Sequence, residues 1–141
     1  MKKLIAVVLL VIVGLTYYFV SVKGSSVKRW YTQNQVTNGK KLFTANCASC
    51  HGLNAEKTVN WRQTLPDGSY PPPALNGTAH AWHHPFEQLV SQIDDGGAQY
   101  GGKMPAFKDT LNEEEKKDVI SYFQSFWNDK IYATWFKRSG L

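Results

Sequence analysis

An all-α chain is what this 141-residue sequence predicts, and three observations point there. Apolar residues recur at helical spacing in several separate segments. Helix start and stop signals bracket those segments, among them Asn112 with Glu115 and the Gly96-Gly97 pair. No run alternates apolar and polar residues over a useful strand length, and there is no internal repeat.

The first segment is the most apolar. After Met1-Lys2-Lys3, Leu4–Val22 runs 19 residues without a charge, with Gly14, Thr16 and Ser21 its only members outside the hydrophobic set. At about 1.5 Å per residue it reaches roughly 28 Å, close to the hydrocarbon thickness of a bilayer. Residues 1–23 are therefore expected to form an N-terminal transmembrane helix, the alternative being a signal peptide cleaved near Ser25. The length of the run favours retention, as do Tyr17, Tyr18 and Phe19 near its far end. No cysteine lies near that end, which excludes a lipoprotein. Lys2 and Lys3 orient either form with its start in the cytoplasm and the rest exported.

Residues 24–36 read as a linker and the start of a first helix, which spans Arg29 to about Ala45 with Trp30, Val36, Leu42 and Phe43 as apolar members. Gly39 weakens it. From Gly52 to Trp82 periodicity is lost: Pro66-Asp67-Gly68 signals a turn, and Pro71-Pro72-Pro73 forbids helix and central strand alike. So long an irregular stretch is unusual in a compact domain unless it wraps something. Pro85 is placed to be the first residue of a helix capped by His84 and running to about Asp94, with Phe86, Leu89, Val90 and Ile93 on one face. Asn112 and Glu115 open the next helix as a capping box, and it should bury Val119, Ile120, Phe123, Phe126 and Trp127. Residues 128–141 form an aromatic, basic tail in which Ile131, Trp135 and Phe136 share a side.

The basic balance is easily over-read. Of 16 Lys and Arg, three flank the apolar run, and from Gly24 onward 13 basic side chains face 11 acidic ones. That net of +2 excludes the dense positive footprint of a nucleic-acid binder.

The chemistry sits in Cys47-Ala48-Ser49-Cys50-His51, a C-x-x-C-H site. Two thiols three residues apart at a helix end can meet the two vinyl groups of one porphyrin, and the next side chain then rises over the ring to ligate iron. A thioredoxin-like dithiol wants a β-α-β setting, which is absent; a structural zinc site usually needs four ligands, and the chain has only two cysteines; a plain short disulfide explains neither His51 nor the irregular wrap after it. One haem c, covalently held by Cys47 and Cys50 with His51 on the iron, is the expectation. Met104 is the sixth-ligand candidate by elimination, since Met1 is the only other methionine. It lies in Gly101-Gly102-Lys103-Met104-Pro105, a flexible approach locked by proline. His80, His83 and His84 compete for that role, and the same trio offers a separate copper site as a lesser reading.

With these residues in place, 37–127 resembles a class I monohaem cytochrome c. The resemblance implies a cytochrome c fold of three to five helices around the haem. In that family a glycine and an aromatic of the first helix, here Gly39 and Phe43, pack on an aromatic of the last, here Tyr122. The Pro-x-Leu-x-Gly stretch appears as Pro73-Ala74-Leu75-Asn76-Gly77. By that match the Pro73 carbonyl accepts the His51 ring N–H and Leu75 packs on the haem. The anchor, the insertion around Trp61–Pro72 and the tail depart from the pattern.

The function so implied is one-electron transfer between protein redox partners, without catalysis, in a periplasmic chain. The alternatives are a cytochrome subunit of a membrane oxidase or dehydrogenase, and a haem peroxidase or sensor in which Met104 leaves the iron. The expected location is a bacterial inner membrane, single-pass through residues 4–22, with the haem domain in the periplasm.

Overall fold

The structure is a computed structural model that describes residues 11–17 and 27–141. Residues 11–17 are helical and exposed. Five further helices follow: α1 (Gln33–Asn46), α2 (Ala48–His51), α3 (Phe86–Asp95), α4 (Glu113–Gln124) and α5 (Asp129–Ser139). Single 3-10 turns occupy Ala81–His83 and Ala98–Tyr100. Among the described residues there is no strand, only an isolated parallel bridge between Tyr70 and Gly102.

Helix α1 begins later than expected, at a capping box the periodicity did not reveal. The Thr32 hydroxyl accepts the Gln35 N–H at 3.3 Å, and the Gln35 side chain accepts the Thr32 N–H at 3.0 Å. The helix then crosses α4 at very short range. A Cβ added to Gly39 would sit 1.9 Å from the Asp118 carbonyl oxygen, so only glycine lets the two backbones meet. One turn on, the rings of Phe43 and Tyr122 pack 5.2 Å apart.

Helix α3 starts at Phe86, one residue after the expected position, because Pro85 is extended (ψ 165°) and serves as the cap. It turns Phe86, Leu89 and Ile93 inward. Helix α4 opens on the Asn112–Glu115 capping box, with bonds of 3.0 and 2.9 Å. It ends at Gln124, which overturns the expected burial of Phe126: once the helical register stops, that ring turns outward and is 39% exposed, while Trp127 stays buried.

The C-terminal residues are part of the core. Tyr132 and Trp135 of α5 are fully buried. Residues 27–31 close over them: the Trp30 indole donates to Gln124 at 2.7 Å, and its backbone N–H donates to the Tyr132 hydroxyl at 2.7 Å. The Arg29 guanidinium lies 4.1 Å from the Tyr132 ring centre and bonds Asp129 at 2.7 Å.

The expected single-pass placement in a bacterial inner membrane, with a periplasmic haem domain, is corrected. Among the described residues no helix is long and apolar enough to cross a membrane. The rest of Leu4–Val22, which carried the expectation, lies outside the described residues.

Candidate cofactor site

The C-x-x-C-H residues sit on a tight corner. The Cys47 N–H closes α1 on Phe43 O at 2.8 Å, and the Cys47 carbonyl opens α2 by accepting the N–H groups of Cys50 and His51 at 3.1 and 2.9 Å. The two cysteines form no disulfide with each other; Cys47 is half-buried and Cys50 exposed. Burial, with Cys50 beside it, pushes the Cys47 thiol up to about 11. His51 is buried, and that burial lowers its pKa against the opposing pull of its hydrogen bond to Pro73. The imidazole is thus kept neutral, the state able to bind a metal.

The His51 Nδ1–H donates to the Pro73 carbonyl at 2.9 Å. Such a bond fixes the tautomer, turns Nε2 toward a metal and raises its basicity. The irregular stretch after His51 is built to present that carbonyl. Lys57 N–H returns to His51 O at 2.9 Å. Ala55, fully buried at a left-handed φ of 56°, offers its carbonyl to the N–H groups of Leu75 and Asn76 at 2.8 and 3.2 Å. From the far side, the Trp127 indole donates to Leu75 O at 2.7 Å, and the Tyr122 hydroxyl to Leu53 O at 2.7 Å.

Met104 lies in the loop after α3, partly buried against the core. Gly96 ends the helix at φ 76°, and a Cβ there would meet the Met104 carbonyl oxygen at 2.5 Å. That oxygen accepts the Gly97 N–H at 2.9 Å, so the loop folds back on the helix end. The Gln92 amide bonds Gly96 O at 2.7 Å and points toward the Met104 sulfur at 3.9 Å.

The three other histidines are occupied differently. His80 stacks on Trp61 at 4.1 Å, His83 stacks on Trp82 at 3.8 Å, and His84 meets His80 edge-on at 5.0 Å. Among the described residues no three His, Cys, Asp or Glu side chains gather as a metal site, so the copper reading finds no support.

A haem c requires two unpaired thiols, a neutral imidazole anchored through one nitrogen, and apolar surroundings. Cys47, Cys50 and His51 meet the first two requirements, and Leu75, Met104 and Phe107 supply partly buried apolar groups. The residues fit the group. The Trp127 and Tyr122 supports and the Gln92 amide were missed by sequence reasoning. A tryptophan in a helical face signals burial, but its N–H partner lies 52 residues away in an aperiodic stretch.

Comparison with known proteins agrees with this chemistry. The family described as cytochrome c oxidase, cbb3-type, subunit III matches residues 34–123. Cytochrome c6 of Nostoc sp. is 32% identical over 129 residues, covering 86% of this chain and 91% of the relative. Cytochrome c6 of Diacronema lutheri is 32% identical over 90 residues, 64% of this chain and 94% of its own. A cytochrome bc1 complex cytochrome c subunit of Corynebacterium diphtheriae is 33% identical over 106 residues, 74% of this chain and 32% of that relative. No solved structure matches the chain. The cytochromes c6 lend the single-pass inner-membrane placement no support either, and it is withdrawn. Motif, wrap and relatives converge: the chain belongs to the class I monohaem cytochromes c, an electron-transfer protein with one haem c covalently attached at Cys47 and Cys50.

Proposed function

We propose that His51 and Met104 are the two axial ligands, and that the protein shuttles single electrons between redox partner proteins without performing catalysis of its own. The supporting observation is the 2.9 Å bond from His51 Nδ1 to Pro73 O, which orients the ring for metal binding from a buried position. A haem held by histidine and methionine supplies a one-electron Fe(III)/Fe(II) change at a raised potential. Around it, the chain's residues hold still. Pro73 holds the imidazole in one orientation, Leu75 would shield a bound haem from water, and the Gly96–Pro105 turn would present the Met104 sulfur to it. A haem held by both His51 and Met104 would keep no position open for a substrate, which separates this reading from a peroxidase or a sensor.

Replacing Met104 by Ala tests the ligand pair. Attachment should survive, while the methionine-to-iron band of the oxidised protein vanishes and the reduction potential falls. Survival of that band in Met104→Ala would refute the assignment, and its loss in His80→Ala or His83→Ala instead would transfer the role to a histidine. A second reading, a subunit of a larger respiratory complex, draws on the bc1 cytochrome c relative. Copurification of fixed partners in mild detergent would favour it over a free carrier.

A further inference from the structure

The insertion that departs from the family pattern reaches across to the methionine loop. Its tip is a turn in which Gly68 N–H donates to Leu65 O at 2.9 Å and Leu65 N–H donates to Ser69 O at 2.8 Å. Within it, one oxygen of Asp67 is engaged by the Ser69 N–H at 3.0 Å and hydroxyl at 2.6 Å. The other oxygen is left to face the ammonium of Lys103, with which it forms an ion pair. Tyr70 then donates its N–H to Gly101 O at 3.0 Å and pairs with Gly102 in the isolated parallel bridge. Its ring lies 3.6 Å from where a Gly101 Cβ would be. These contacts fall on Gly101, Gly102 and Lys103, the three residues before Met104. Two of them are glycines, whose backbone has the most freedom to lose and no side chain to anchor it.

At its other end the insertion is fixed near the opposite ligand. Thr58 N–H donates to Pro72 O at 2.8 Å, and the next carbonyl, Pro73, accepts from His51. Pro71-Pro72-Pro73 restricts the backbone between the two anchorages. One segment thus ties the histidine side of the site to the methionine side.

We infer that Leu65–Pro72 is a strap that keeps Met104 on the iron, with Tyr70 and Asp67 as its positioning residues. The inference rests on Met104 being the sixth ligand. Loosening the strap raises the fraction of time the sulfur is away, and an added ligand binds in proportion to that fraction.

Imidazole titrated into the oxidised holoprotein reads this directly. Asp67→Asn combined with Tyr70→Pro removes the ion pair and the Tyr70 N–H. It should tighten imidazole binding about tenfold, from one exposed ion pair and one hydrogen bond. Asp67→Asn alone, an exposed change that leaves the backbone intact, should tighten it about twofold. Glu114→Gln breaks a comparable surface pair, to Lys117 within α4 and sharing no residue with the strap, and should change nothing. Wild-type imidazole affinity in both strap variants overturns the inference, provided Met104→Ala binds imidazole far more tightly. If Met104→Ala also binds like wild type, the ligand assignment itself is wrong and the strap has nothing to hold.

Discussion

Replacing Gly39 by Ala sets two effects against each other, and the structure decides between them. In an isolated helix the change is favourable by about 1 kcal/mol, because glycine loses more backbone freedom on folding. Here the added Cβ would lie 1.9 Å from Asp118 O and 2.5 Å from the carbonyl carbon, both backbone atoms of α4 that cannot swing aside. Helices α1 and α4 must part by more than an ångström, so their side chains no longer meet at packed distance. Overpacking of this kind costs about 1–3 kcal/mol, and weakening the Phe43–Tyr122 contact adds about 1 kcal/mol. The net expectation is a loss of about 2 kcal/mol, a substantial share of a small domain's total. In urea that is a midpoint lower by about 1 M with the slope unchanged. A midpoint equal to or above wild type would mean that the close crossing does not govern the packing of these helices.

Other expectations follow from the same structure. Cys50→Ala should leave little stable holoprotein, because a domain this small needs its prosthetic group to complete the core; a haem-free domain of normal stability would contradict this. Trp127→Phe strips the donor from Leu75 O and should cost about 1–2 kcal/mol in urea denaturation, with no change expected if that carbonyl were solvated anyway. His80 is held below its ordinary 6.5 by burial first, then by His84, His83 and Arg62. Its contribution to stability is therefore complete above pH 6.5 and is lost as pH falls through the lower folded value. His80→Gln should flatten that acid-side slope, and an unaltered slope would assign it to other groups.

The sequence exposed local chemistry well and distant partnerships poorly. C-x-x-C-H and the Asn112–Glu115 cap each lie within five residues, so spacing alone specifies them, whereas the Gly39–Phe43 pair was legible only through the family resemblance. The Thr32–Gln35 box was equally local, and it was missed because Trp30 was read as part of the helix rather than as a lid before it. Phe126 was misplaced because helical periodicity was carried past the point where α4 stops. Tyr132 gave no warning of its burial: a tyrosine near an exposed-looking tail reads as amphipathic, and only the Trp30 N–H and Arg29 facing it make the interior acceptable. The partners of Lys116, Asp94 at 2.5 Å and Glu113 at 2.7 Å, show the same division. The second is one turn away, and the first needs the whole fold.

The two indole donors have a consequence for the order in which this molecule can be completed. Trp127 and Trp135 fasten Leu75 and His84 across separations of 52 and 51 residues, and Tyr122 fastens Leu53 across 69. Closing such spans carries an entropic cost that local contacts avoid. The residues that steady Pro73 therefore leave the ribosome after the whole region they steady. Until they arrive, the carbonyl that aims His51 has no fixed address, and a nascent chain ending before Trp127 has its thiols in place without the scaffold around them. Damage confined to Trp127 and the residues after it should accordingly be felt far upstream, at the Pro73 carbonyl and the His51 ring that it holds.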